Sequence, residues 1–159
     1  MTAQKLQNEA KNHAPFDTLE QKAMLNLLRT HDQYHNRFGR LFRQFDLTSS
    51  QYHILQILQG EGKPMKSLDV AARMIQVVPA ITGLIDRLEE AQLVERKRSI
   101  KDRRVVHIQL TEKAERLLAA MEEPVNELHK QLIGHLNKSE LQELNRLLEK
   151  ARASLQSGD

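Results

Sequence analysis

The chain has 159 residues with no cysteine, no tryptophan, few aromatics and no long apolar run. Without cysteine, disulfide frameworks, zinc–thiolate sites and thiol nucleophiles or redox switches are excluded. No stretch approaches the roughly 18 apolar residues of a membrane span, so no membrane-crossing helix is expected. The opening MTAQKLQNEAKNHAP has no apolar segment after its first basic residue, which argues against a secretory signal and for a cytoplasmic location. A glycine-rich phosphate loop and a nucleophile–base arrangement are missing too, so neither an enzyme nor a bound cofactor is expected.

What is present is the composition of a folded globular chain of about one domain, 28% charged and 40% hydrophobic. The net charge of +3 is unevenly placed. The segment 95–104, ERKRSIKDRR, holds six basic and two acidic side chains, a net of +4, so the remaining residues sum to −1. A polyanion such as a nucleic-acid backbone selects such a footprint, although a solvated charge run would look the same in isolation.

Its surroundings have shape. Residues 1–16 read as a loosely held polar arm ending near Pro15. Asp17 with Glu20 reads as a capping box, after which Met24, Leu28, His31, Tyr34, Phe38, Leu41 and Phe45 recur at helical steps. A helix that long with one apolar stripe needs a partner surface. Thr48 with Gln51 gives a second box ahead of Tyr52, Ile54, Leu55 and Leu58, and Gly60, Gly62 and Pro64 punctuate the end. Ser67 is positioned to cap a third helix to about Met74, and Pro79 to open a fourth, carrying Ile81, Leu84, Ile85 and Leu88 inward. Together these suggest a helix-turn-helix.

Two alternating segments follow. Val94, Arg96 and Arg98 share one strand face and Val106, Ile108 and Leu110 another, around the basic tip Ser99-Ile100-Lys101-Asp102-Arg103. The expected fold is therefore mainly α with a small β-hairpin wing: a winged helix-turn-helix over 47–110. It is flanked by helical regions at 17–46 and 111–156. In the last third Thr111 is a helix cap, Pro124 is expected to kink or split the helix it opens, and Ser139 with Gln142 is expected to start the final one. The flanking leucine stripes exceed what the winged helix needs for its own core, and a homodimer interface is their simplest use.

The run from Leu84 to Thr111, LIDRLEEAQLVERKRSIKDRRVVHIQLT, resembles the signature stretch of the MarR family of transcriptional regulators. Its parts are D-R-L-E at the end of the recognition helix, L-V-E-R, a wing with D-R-R, and a strand closing in L-T. Leu47-Thr48 with Gln51-Tyr52 matches the start of that family's second helix. The resemblance implies a homodimer on double-stranded, pseudo-palindromic operator DNA, mostly as a repressor released by a small phenolic or lipophilic molecule.

On that resemblance Arg103 is the wing arginine that enters a minor groove, where a narrow A·T-rich channel concentrates negative potential, and Asp102 holds it in pose. Arg98, Lys101 and Arg104 are candidate phosphate contacts. The turn opening the recognition helix, usually rich in Ser, Thr and Arg, reads Gln76, Val77, Val78, Pro79 and Ala80 here, leaving Thr82 and Arg87 as further polar groups on that surface. Apolar residues can meet thymine methyls and Gln can pair with adenine. Alternatively, major-groove reading is weak and the chain is an interaction module with little sequence specificity. Ile75, Gln92 and Ala114 stand where the family often has glycine.

Family effector pockets are lined by the first two helices, which makes Tyr34, His35, Phe38, Phe42 and His53 candidate ligand contacts, or equally members of an ordinary core. His31 and His35 stand one turn apart, as two metal-binding imidazoles would, with Asp32, His53 or a partner chain as a third ligand. A metal-responsive regulator is thus an alternative, although no metal site is assigned.

Overall fold

A computed structural model describes residues 18–75, 81–100, 102 and 104–156. The elements are α1 (Leu19–Arg43), α2 (Ser49–Glu61), β1 (Met65–Lys66), α3 (Ser67–Ala72), α4 (Ile81–Glu90), β2 (Val94–Arg98), β3 (Val106–Leu110), α5 (Glu112–Ile133) and α6 (Lys138–Gln156). Two compact units divide the chain at 37/38, inside α1.

The first unit's described part is the front of α1. It opens on a capping box of Thr18 and Gln21; Asp17, of the expected Asp17–Glu20 pair, lies outside the described residues. The Gln21 N–H donates to Thr18 Oγ1 (3.2 Å) and the Thr18 N–H to Gln21 Oε1 (3.4 Å). Leu19, Met24, Leu27 and Leu28 are all exposed.

The second unit holds a core to which every one of its helices but α6 contributes a buried residue. Phe42 and Leu47 enter from α1 and the turn after it, Ile54, Leu55 and Leu58 from α2, Val70 from α3, Ile85 and Leu88 from α4, and Val94 and Ile108 from the sheet. Ala114, Leu118, Met121 and Val125 bring α5 into the same core, so α5 docks by its first half. Ile54, Leu55, Val70, Ile85, Leu88 and Ile108 are fully buried, and no described buried polar side-chain atom lacks a partner.

The sheet has three antiparallel strands in the order β1-β3-β2. The hairpin is as expected, with Val94 opposite Leu110, Arg96 opposite Ile108 and Arg98 opposite Val106. The two-residue β1 is an addition that alternation could not reveal, since two residues carry no period.

Three further expectations are corrected. Ser67 does not cap α3; it is the first helical residue, after Lys66 as a cap without a side-chain bond. Pro124 does not split α5, which runs unbroken through it. Proline forfeits only the bond to the Ala120 carbonyl, and Ala120 is exposed, so water can meet that oxygen while Met121 and Val125 hold the helix to the core. The final helix is capped by Asn137 and Glu140, not Ser139 and Gln142: the Glu140 N–H donates to Asn137 Oδ1 (3.0 Å) and the Asn137 N–H to Glu140 Oε2 (2.8 Å). Among the described residues of α6 none is buried, and Leu147 and Leu155 are exposed. No described helix is long and apolar enough to cross a membrane.

Candidate nucleic-acid interface

The interface begins with α2, whose register is fixed by the expected box. Thr48 Oγ1 accepts the Gln51 N–H (3.2 Å) and Gln51 Oε1 accepts the Thr48 N–H (2.9 Å). Against this support lies α4, with Ile85 and Leu88 buried below and Thr82, Gly83, Asp86 and Arg87 exposed above. A Cβ added at Gly83 would meet nothing within 4 Å, in keeping with the exposure of that face.

The wing is tied to α4 by Arg96, which lies on the inward face of β2 beside Val94. Its guanidinium donates through Nη2 to Asp86 Oδ1 (2.5 Å) and through Nη1 to Glu89 Oε2, and its backbone N–H donates to Glu89 Oε1 (3.2 Å). Desolvation opposes the charge, but hydrogen bonds to Asp86 and Glu89 outweigh it and hold the guanidinium above its ordinary value. Asp86 and Glu89 are thereby both paired with Arg96 on the face turned to the wing, one positive charge shared between two carboxylates. This clamp was not among the expected site residues; its signal was an arginine next to buried Val94 on one strand face and opposite buried Ile108.

A second tie closes the other end. Thr111 caps α5 by accepting the Ala114 N–H (3.2 Å) and donates its hydroxyl to the Gln92 carbonyl (2.7 Å), while Lys113 Nζ donates to the Ala91 carbonyl (2.7 Å). The L-T step therefore joins the end of α4 to the start of α5. On the outer sheet face Lys97 pairs with Glu95 (3.0 Å), which also accepts from Gln109 (2.5 Å), and these two donors hold the Glu95 carboxyl below its ordinary value.

The hairpin tip is built by its polar side chains. Ser99 N–H donates to the Val105 carbonyl (2.9 Å), Val105 N–H to the Asp102 carbonyl (3.0 Å), and Arg104 N–H to Asp102 Oδ1 (3.0 Å). Asp102 thus shapes the turn through its own carboxylate. Arg98, Asp102 and Arg104 are exposed, as are Thr82 and Arg87, and among the described residues Arg87, Arg98 and Arg104 have no ion pair. Gln76, Val77, Val78, Pro79, Ala80, Lys101 and Arg103 lie outside the described residues.

Of the candidate ligand contacts, Phe42 is buried and stacks on Tyr52 with ring centroids 4.2 Å apart. Phe38 lies against Phe42 (5.8 Å) and His129 (4.9 Å), and His53 against Tyr52 (6.3 Å). Tyr34 and His35 belong to the first unit, where His35 stacks on His31 (5.7 Å). Among the described residues no group of three or more acidic or histidine side chains is placed to hold a metal. Two clefts of the second unit, about 400 and 340 Å³, surround the Gly62–Pro64 turn, and none of the five candidates lines either.

Residues 37–121 match the family model of the SarA/Rot transcriptional regulators. The HTH-type transcriptional repressor IacR of Pseudomonas putida is 30% identical over 77% of this chain and 73% of its own. The homoprotocatechuate degradative operon repressor of Escherichia coli is 29% identical over 77% of this chain and 82% of its own. Among solved structures, a MarR transcription factor from Planctomyces limnophilus is 42% identical with a TM-score of 0.65, over 84% of this chain and 98% of its own. AbsC, a MarR family regulator from Streptomyces coelicolor, is 26% identical with a TM-score of 0.79, over 92% and 99%. With the signature stretch folded as a clamped recognition helix and wing, the chain belongs to the MarR family of winged-helix transcriptional regulators.

Proposed function

We propose that this regulator is a homodimeric, sequence-specific repressor that acts in the cytoplasm and binds pseudo-palindromic duplex DNA. The observation that carries this reading is the Arg96 clamp, which makes one body of an exposed α4 face (Thr82, Arg87) and a cationic wing (Arg98, Arg104). Gln76, Val77, Val78, Pro79 and Ala80 open the major-groove surface, with Lys101, Asp102 and Arg103 at the wing. Dimerisation through 17–46 and 111–156 is supported by apolar residues left in water: Leu19, Met24, Leu27 and Leu28 on α1, and Leu147 and Leu155 on α6. Two-fold symmetry would set half-site centres roughly 34–36 Å apart.

Selection from randomised duplex DNA tests the reading: it should enrich a palindrome with that spacing, on a protein that sediments as a dimer. Arg103→Ala should weaken binding while leaving the dimer intact. A monomer, or indifference to duplex DNA at low salt, rejects it.

Release by a small aromatic or lipophilic ligand, through Tyr34, His35, Phe38, Phe42 and His53, is supported by the relative that represses a homoprotocatechuate degradative operon. Titrating homoprotocatechuate into the protein–DNA complex is the first check.

A second reading, an interaction module with little sequence specificity, is favoured by Leu68 and Ile75, 79% and 82% exposed on and just after α3. A selection that enriches no sequence would support it.

A further inference from the structure

The tip of the wing displays one large apolar side chain. Ile100 is fully exposed and lies outside both strands of the hairpin. Two polar side chains beside it are turned onto the loop itself: Ser99 Oγ accepts the Asp102 N–H (3.4 Å) and Asp102 Oδ1 accepts the Arg104 N–H (3.0 Å). With the turn closed by those bonds, Ile100 has no role in shaping it. A β-branched residue is also a poor choice for a turn, where Gly, Asn, Asp, Ser and Pro serve better. Neither the core nor the turn's hydrogen bonds use the side chain, which leaves it accessible to whatever the tip touches.

Charge says what that partner is. Ile100 is the apolar centre of a segment with a net of +4, flanked by Arg98, Lys101, Arg103 and Arg104. A protein surface that accepted one isoleucine would have to accept those cations as well. A DNA minor groove offers both at the right places: phosphates along its two rims, and deoxyribose walls with base edges between them. Proteins that enter this groove combine Arg with apolar wedges, and pyrimidine–purine steps such as TA yield to a wedge most easily.

We infer that Ile100 is a specificity-determining residue of the wing, an apolar wedge seated between the sugar walls of an A·T-rich minor groove. The inference rests on the proposed DNA-binding role and adds to it a contact that carries no charge.

The test compares Ile100→Ser, Ile100→Leu and Arg103→Ala on two probes, the duplex enriched by the wild-type protein and poly(dG–dC), each over a series of salt concentrations. Ile100→Ser should lose about tenfold in affinity for the enriched duplex, the scale of one apolar side chain returned to water. It should keep the salt dependence, since no phosphate contact is removed, and leave poly(dG–dC) binding unchanged. Ile100→Leu should restore most of the affinity. Because Ile100 is outside the core, the melting temperature of both Ile100 variants should match wild type.

If Ile100→Ser binds the enriched duplex as wild type does while Arg103→Ala does not, the wedge is discarded and the DNA-binding role stands. An equal loss on both probes removes the specificity role. If wild type enriches and binds no duplex, the underlying function fails instead. Partition of wild type onto phosphatidylglycerol vesicles, lost in Ile100→Ser with DNA binding intact, would assign the tip to a lipid surface and overturn the inference.

Discussion

Arg96 and Glu89 meet twice: the guanidinium and the backbone N–H of one strand residue reach the two oxygens of a single carboxylate on α4. Asp86, one helical turn before, takes the other guanidinium nitrogen at 2.5 Å. A strand and a helix that carry different parts of the proposed DNA-binding surface are thereby fixed in angle as well as in distance. The arginine stem lies along the inward strand face, so truncation loses packing as well as charge. Arg96→Ala should cost about 1–2 kcal/mol, between an exposed ion pair and a buried one. Glu89→Gln should cost more than Asp86→Asn, because only Glu89 also holds the Arg96 N–H. Denaturant midpoints of the three variants check the order, and DNA affinity should fall in parallel with them.

Gln92 occupies the left-handed region, with φ +60°, at the end of α4. The Leu93 N–H reaches the Leu88 carbonyl (2.9 Å) and the Gln92 N–H the Glu89 carbonyl (2.8 Å), the bond pair that closes a helix through a left-handed residue. Glycine holds this conformation without penalty, whereas a residue with a Cβ pays about 1 kcal/mol. Gln92→Gly should therefore raise stability by about 0.5–1 kcal/mol, and Gln92→Val should lower it. A thermal melt separates the two directions. Asp46, at φ +57° after α1, closes its helix in the same way.

The Gln92 case shows what was legible in the sequence. The absence of the family's usual glycine was visible there, but only the backbone angle shows that this residue takes up the turn. Capping boxes were legible as a class and ambiguous in register. Asp17-Glu20 and Thr18-Gln21 fit the same pattern one residue apart, as do Ser139-Gln142 and Asn137-Glu140 two apart. Where the backbone turns helical decides between them, and a linear pattern does not carry that. Pro124 was expected to kink or split α5, and it does not split it, with Met121 and Val125 on either side of it buried in the core. The wing could be read because alternation and charge coincide there. Its clamp was not recognised because pairing Arg96 with Asp86 and Glu89 needs the strand folded back on the helix.

Acid should loosen the winged helix before it unfolds the chain. Hydrogen bonds from Arg73 first, then Lys63, hold the Glu61 carboxyl below its ordinary value, and Lys97 with Gln109 does the same for Glu95. A carboxyl whose folded value is depressed stabilises the fold above its unfolded value, near 4.5. That contribution is lost as pH falls through the folded value, because the unfolded chain then binds more protons. Urea midpoints should be level at neutral pH and fall below about pH 4.5. In Glu61→Gln and Glu95→Gln the fall should be shallower, with a lower plateau at neutral pH. An unchanged slope in both would remove these two pairs as its source.

Two neighbouring cations on β2 should behave differently on DNA. Lys97 is already engaged with Glu95 at 3.0 Å, so on meeting a phosphate it must either give up that partner or share its charge. Arg98, the last residue of the strand, is exposed and has no ion pair among the described residues, so it comes to the phosphate uncompensated. Each phosphate neutralised contributes about 0.9 to the slope of log affinity against log salt. Arg98→Ala should therefore lower the slope by about one in each protomer, while Lys97→Ala should change it by much less. Removing the carboxylate reverses the contrast: in Glu95→Gln the lysine is released, and a subsequent Lys97→Ala should then cost as much slope as Arg98→Ala does. Fluorescence anisotropy over a salt series on the four variants and wild type measures it. Equal slopes for Arg98→Ala and wild type would mean that the base of the wing stays off the backbone and only its tip touches DNA.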